Sequence, residues 1–276
     1  MEQAEEPRAG EDCDPAACRW RLGVVSYLNA KPLIEGLELD PRITMVHDVP
    51  SRLADRLEQG EVDAALVPVI DLVRGGRRWR IVSDACIGCD GETLTVRVLS
   101  RVPPESIRRL HVDGDSHTSV VLASVLWREL YGRRLELLPF RGNETVEACE
   151  AVLLIGDKVV RHGLIGYDLE TDLGSAWKHL TSLPFVFAVW AAPVEQDTAE
   201  LGAILSRARD RGVKSAAMIA EDLAPGLGWP TTLAKRYLCT RIKYHLGPRQ
   251  RQGMERFLAL AEKHDLVDAG ERLVFA

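Results

Sequence analysis

From Arg19 onward the chain reads as short apolar runs separated by polar turns and amphipathic stretches. Arg21-Leu22-Gly23-Val24-Val25-Ser26 predicts a short buried strand. Tyr27 to Pro32 predicts a turn, with Pro32 suited to the first position of a helix through Leu33, Ile34 and Leu37. Thr44 to Val49 predicts a second strand. Ser51 is placed to cap a helix with Leu53, Ala54 and Leu57 on one face and Gly60 at its end. Val62 to Val67 predicts a third strand, stopped by Pro68. Strand, helix, strand, helix, strand is the order of a parallel sheet with helices on its faces.

The β-branched run Thr93 to Ser100 predicts another strand, broken by Val102-Pro103-Pro104. Leu110-His111-Val112 opens a new unit. Asp113-Gly114-Asp115-Ser116 then leads into an apolar helix through Val120, Leu122, Ala123 and Leu126. Leu135 to Leu138, Ala151 to Asp157 and Pro184 to Ala191 predict further extended segments. The remainder reads as helices over Thr198 to Arg211, Val213 to Leu223, Pro230 to Tyr237 and Arg249 to His264. The block from 101 to 188 is thus an αβ set of its own, flanked by two extended apolar runs. This predicts two lobes, one from 19–100 plus 189–276 and the other from 101–188, joined by a two-strand hinge. A cleft between lobes is a natural ligand site, and hinges suit closure around a small molecule.

Composition narrows this only a little. The 276 residues allow one large domain or two small ones, and the formal charge of −6 argues against a nucleic-acid binder. No apolar run approaches the roughly 20 residues of a membrane span. Residues 1–18 are acidic and carry no apolar core of a secretory signal, so they predict a flexible tail and a cytoplasmic setting. There the cysteines Cys13, Cys18, Cys86, Cys89, Cys149 and Cys239 would be reduced. Cys86 and Cys89 form a lone C-x-x-C without the second pair or nearby histidines that zinc calls for.

Four segments are polar where a strand meets a turn or a helix start, where ligands gather in open α/β sheets. The first, Ser26-Tyr27-Leu28-Asn29, offers an amide that donates and accepts; an Asx turn is the competing reading. In the second, Ser116, His117, Thr118 and Ser119 stand at a predicted helix N-terminus, which attracts carboxylates; plain capping by Ser116 is the alternative. The third, Ile87 to Thr95, brings Cys89 and the Thr95 hydroxyl. The fourth ends a hydrophobic strand at Asp157, which can orient a neighbour or cap the next helix. The chain has no Walker loop, no G-x-S-x-G, no H-E-x-x-H and no G-x-G-x-x-G after a strand, so no cofactor or metal is predicted. Phe185, Phe187 and Trp190 read as core and hinge packing.

Taken together, these motifs resemble the chorismate dehydratases of menaquinone biosynthesis. Ser26-Tyr27-Leu28-Asn29-Ala30-Lys31-Pro32-Leu33 is similar to the family's SYLN-x-x-PL opening. Val49 to Ala54 and Val62 to Pro68 match its next block, and Asp113 to Ser119 its D-x-x-S-R-T-S. Ile155-Gly156-Asp157 matches Ile-Gly-Asp, and Leu183 to Trp190 matches L-P-F-V-F-A-x-W. His117 stands where the pattern has Arg, Cys89 where it has Ser, and Thr95 replaces another Ser.

The resemblance implies an α/β, two-lobed, type II periplasmic-binding-protein-like fold, each lobe a mixed, mostly parallel sheet flanked by helices. It implies dehydration of chorismate to 3-[(1-carboxyvinyl)oxy]benzoate in the futalosine route, with aromatisation as driving force and no cofactor. The substrate is a dianion. Asn29 is the candidate at the reacting centre, orienting the leaving hydroxyl or a water. Ser26, Cys89, Thr95, Ser116, His117, Thr118, Ser119 and Asp157 are candidate substrate contacts. Chorismate is the expected partner, with no nucleic acid or membrane, and the chain is a monomer or homodimer. Two alternatives stay open: a non-catalytic small-carboxylate-binding protein, and the sister dihydroxynaphthoate synthase of the same pathway.

Overall fold

The computed structural model describes residues 19–112, 114–140, 149–162, 166–268, 270 and 272–276. The predicted tail 1–18, with Cys13 and Cys18, and Asp113 lie outside the described residues. The first sheet has six strands: β1 (Trp20–Val25), β2 (Ile43–Asp48), β3 (Ala64–Pro68), β4 (Trp79–Cys89), β10 (Phe185–Pro193) and β11 (Ile242–His245), in the order β11-β4-β10-β3-β1-β2. The second has five: β5 (Val96–Ser100), β6 (Arg109–Val112), β7 (Glu136–Pro139), β8 (Ala151–Ile155) and β9 (Leu169–Asp172), in the order β7-β6-β8-β5-β9. Both sheets are mixed. β1 runs parallel to β2 and β3, and β6 parallel to β7 and β8, whereas β10 and β5 run antiparallel to their neighbours. Helices α1 (Pro50–Glu58), α2 (His117–Tyr131), α3 (Asp157–His162), α4 (Leu173–Thr181), α5 (Ala199–Leu227), α6 (Thr231–Arg236) and α7 (Pro248–Lys263) complete the chain. β3 and β8 are buried at every position, as strands covered on both faces must be, which is why their sequences are unbroken apolar runs.

The expected boundary at residue 100 differs from the pairing. β5 belongs to the second sheet, and β10 enters the first from Phe185, so the chain crosses between sheets near 90–95 and 182–184. Asp172 enforces the first crossing. Its carboxylate accepts the N–H groups of Thr93 and Leu94 at 3.0 and 2.8 Å, while also capping α4 through Ser175 at 3.0 Å. Leu94 takes φ +72°, which interrupts the extended run before Val96.

Two other expectations change. The helix after Pro32 is instead a short 3-10 turn, Leu28–Leu33. The helices expected on either side of Gly212 are one, α5. Gly212 serves close approach there: a Cβ would stand 1.9 Å from the Pro32 carbonyl oxygen. α5 thus presses its backbone directly on the turn that carries Asn29. β4 was not legible as a strand, because Ser83 and Asp84 interrupt its apolar pattern; they face Ser206 and Arg209 of α5.

Hydrogen bonds link the two sheets' elements across the cleft. The Tyr27 hydroxyl donates to Asp115 at 2.6 Å, and the Ser51 N–H to the Asp115 carbonyl at 3.1 Å. The Ile70 N–H donates to Thr118 Oγ1 at 3.2 Å, and His117 Nδ1 lies 2.8 Å from Asp71. Asp157, at the start of α3 and buried, accepts from Trp229 Nε1 at 3.1 Å and from the Leu28 N–H at 3.4 Å. Burial raises its carboxyl above the usual range, against the pull of those two donors.

Gly212→Ala is expected to destabilise the protein by about 2 kcal/mol through overpacking against Pro32; chemical denaturation reads this directly. For Asp157, the folded carboxyl sits above its unfolded value. Its contribution to stability is therefore greatest in acid and is lost as pH rises past about 4. Asp157→Asn lacks that loss, so its stability relative to wild type should climb from acid toward neutrality; thermal unfolding across this range showing a flat difference would refute it.

Candidate functional site between the lobes

The cross-cleft contacts narrow the space between the lobes to a cavity of about 40 Å³. The turn after β1 contributes Tyr27 and Asn29, and the first crossover contributes Thr93 and Thr95. Ser116 and Ser119 enter from the start of α2. Ile155 and Gly156 end β8, Phe187 and Ala188 lie on β10, and Tyr237 comes from a π-helical turn after α6. Gly156 is required at its place. Its φ is +60°, a Cβ would stand 2.9 Å from the Tyr27 ring, and its N–H donates to the Thr95 carbonyl at 2.9 Å.

None of the described residues lining the cavity is formally charged. Its polar character comes from the amide of Asn29 and the hydroxyls of Tyr27, Thr93, Thr95, Ser116, Ser119 and Tyr237, with apolar walls elsewhere. Ser116 caps α2, accepting the Ser119 N–H at 3.3 Å, and its Oγ lies 3.0 Å from Ser119 Oγ. The positive end of the α2 dipole thus faces the cavity, a setting that favours a bound carboxylate.

At the opposite side, Thr95 Oγ1 and the Tyr237 hydroxyl lie 2.6 Å apart, both buried. Asn29 Oδ1 is buried with no hydrogen-bond partner. Burial pushes the Tyr237 phenol well up, so it stays protonated and neutral. Trp229 stacks on the Tyr237 ring at 5.0 Å and 21°.

Four of the nine sequence candidates meet at the cavity: Asn29, Thr95, Ser116 and Ser119. The other five stand elsewhere. Ser26 is exposed beyond the end of β1, its hydroxyl 3.4 Å from the Asp48 carbonyl. Cys89 is packed against α4, where a Cβ on Gly174 would meet its Sγ at 2.7 Å; burial raises its thiol far above the usual range. His117, Thr118 and Asp157 are engaged by partners across the cleft, as described above. Tyr237 was missed. It ends a stretch read as an ordinary helix, and nothing in its neighbours signals the π-turn that aims it inward. The aromatic Phe187, read as packing, also forms part of the wall.

Comparisons with known proteins agree with this geometry. The profile described as menaquinone biosynthesis matches residues 20–263. A chorismate dehydratase of Thermus thermophilus is 30% identical over 254 residues, covering 86% of this chain and 93% of that protein. Among solved structures, a protein from Archaeoglobus fulgidus superposes with a TM-score of 0.66 at 15% identity, covering 90% of this chain and 98% of the other. The periplasmic aliphatic sulphonate binding protein of Escherichia coli gives 0.62 at 13% identity, covering 91% and 94%. The fold is therefore the two-lobed, periplasmic-binding-protein-like one. With the profile spanning nearly all the described residues and the curated relative matching along most of both chains, this protein belongs to the menaquinone biosynthesis family.

Proposed function

We propose that this protein is a chorismate dehydratase, a hydro-lyase that converts chorismate to 3-[(1-carboxyvinyl)oxy]benzoate and water in the futalosine route to menaquinone. The observation that carries the proposal is the uncharged, hydroxyl-lined cavity that the α2 N-terminus faces, in a chain of this family. At about 40 Å³ the cavity is smaller than small-molecule sites of roughly 300–1,000 Å³, so substrate entry requires the cleft to open.

The reaction breaks the C3–H and C4–O bonds of the ring. The C–H electron pair becomes the new ring double bond, and the hydroxyl leaves to form water with the lost proton. Charge develops from C3 through the ring double bond onto the C1 carboxylate. Ser116, Ser119 and the free N–H groups of α2 are suited to hold that carboxylate, and they stabilise it most where charge accumulates. Asn29 and Thr95 sit together away from them, suited to the leaving hydroxyl. An amide is a poor base, so Asn29 orients rather than abstracts. The apolar walls and the closed cleft exclude water, which strengthens each of these dipoles. We place the reaction in the cytoplasm, in keeping with the free thiols Cys86, Cys89, Cys149 and Cys239.

The likeness to a sulphonate-binding protein favours one second reading, a carboxylate-binding protein without catalysis. Incubation with chorismate alone separates the two. The expected product is lighter by one water and retains the enolpyruvyl group; chorismate decaying only at its spontaneous rate would select the binding protein. Asn29→Ala should lower kcat by about 100-fold, and unchanged turnover would remove Asn29 from the mechanism. Ser119→Ala should raise KM by about tenfold through loss of one charge-assisted hydrogen bond, measured by steady-state kinetics.

A further inference from the structure

Three polar side chains of the cavity come from three separate segments: Asn29 from the turn after β1, Thr95 from the first crossover, and Tyr237 from the π-turn. The dipeptide Gly156-Asp157, where β8 ends and α3 begins, is tied to all three segments. The Gly156 N–H donates to the Thr95 carbonyl at 2.9 Å. Asp157 accepts the N–H of Leu28, the residue before Asn29, at 3.4 Å. It also accepts the indole N–H of Trp229 at 3.1 Å, and that indole stacks on the Tyr237 ring. Both bonds fall on one oxygen, Asp157 Oδ1. Asp157 and Trp229 are buried, so water competes little for these bonds. Asp157 itself is not part of the cavity lining.

We infer that Asp157 is a positioning residue for the dehydration: from outside the cavity, its Oδ1 fixes Asn29 and Tyr237 relative to Thr95. The inference rests on the chorismate dehydratase reading for its reaction. The 3-10 turn Leu28–Leu33 and the π-turn Tyr237–Arg241 each lack a side-chain cap of their own. Asp157 supplies the first with the bond that a capping side chain would make, from far away in the chain. It holds the second through the Trp229 stack. An elimination is sensitive to such placement, because a shift of about 1 Å in a group facing the reacting atoms costs about 100-fold in rate. Since both donors share one oxygen, the role calls for an acceptor at this point and not for a charge.

With chorismate, Asp157→Ala should lower kcat about 10- to 100-fold with KM within about threefold of wild type. Asp157→Asn keeps an acceptor oxygen and should recover kcat to within about threefold of wild type. Trp229→Phe keeps a ring against Tyr237 but loses the N–H, and should lower kcat about tenfold. Combined with Asp157→Ala it should add no further loss, because the bond it removes is already gone. A loss carried by KM, wild-type kcat in Asp157→Ala, or Asp157→Asn as slow as Asp157→Ala each overturn the inference. Should Asp157→Ala not fold, wild-type kcat in Trp229→Phe overturns it. A second readout needs no substrate. The Tyr237 ring signals, identified among the five tyrosines by their loss in Tyr237→Phe, are followed by carbon-13 NMR of tyrosine-labelled protein. They should shift in Asp157→Ala, as the indole moves, and hold in Asp157→Asn; unshifted signals in Asp157→Ala overturn the inference. Shifted signals in a protein inert toward chorismate leave the hold of Asp157 on Tyr237 standing and sink the proposed function instead.

Discussion

The site depends on one buried carboxylate. Asp157 begins α3 in one lobe and accepts hydrogen bonds from two parts of the other, the Leu28 N–H and the Trp229 indole. Leu28 precedes Asn29, and Trp229 stacks on Tyr237. A single side chain therefore holds the neighbours of two residues that, with Thr95, line the cavity. Burying a carboxylate is costly, and among the described residues no cation is in direct contact to offset it; Arg161 and Lys31 act at longer range. The raised carboxyl is the sign of that cost. Replacing the pair of donors by apolar groups would leave the charge stranded, so the donors and the carboxylate stand or fall together.

The same economy of charge governs the cavity. Polar groups near its rim are already paired: Lys158 with Asp115 within one lobe, and His117 with Asp71 across the cleft. Neither pair lines the cavity. What remains inside are hydroxyls, one amide and a helix end. A dianion bound by neutral dipoles is held without a competing ion pair. In a dry cavity those dipoles act at low dielectric, and they need not reorganise as charge moves onto the ring carboxylate. His117, standing where the family pattern has Arg, fits this arrangement: its partner is a buried aspartate of the facing lobe, not a group in the cavity.

What could be read from the sequence divides along physical lines. The strands β3 and β8 and the capped start of α2 were legible because burial and capping write local patterns, unbroken apolar runs and a Ser before a helix. Asn29, Thr95, Ser116 and Ser119 were legible because ligand-facing residues sit where strands end, and because the motifs around them resemble a known family. Asp157 was legible as important but not in its role, since its partners lie 129 and 72 residues away in the chain. Gly212 read as a helix breaker because sequence cannot tell a glycine that ends a helix from one that admits a carbonyl oxygen from elsewhere. Tyr237 was invisible for the same reason. Its place is made by a π-turn and by two partners, Thr95 and Trp229, that the sequence does not put beside it.

A binding-protein scaffold suits an elimination that ends in an aromatic ring. Such a reaction has its driving force in the substrate, so the protein's task is to hold charge, exclude water and then let a flat product go. Polar contacts join the two sides of this cleft: Tyr27 to Asp115, Ile70 to Thr118, His117 to Asp71, Ser51 to the Asp115 backbone, and Leu28 and Trp229 to Asp157. Those between neutral groups exchange for water on opening at a small net cost, about 1 kcal/mol each. Apolar packing continues from one sheet's helices to the other sheet where Trp177 meets Phe185 and Phe257, beside the second of the two chain crossings, while no strand pairing joins the sheets. Closure can therefore order the Asn29–Tyr237–Thr95 wall around substrate, and opening can follow without unfolding either lobe.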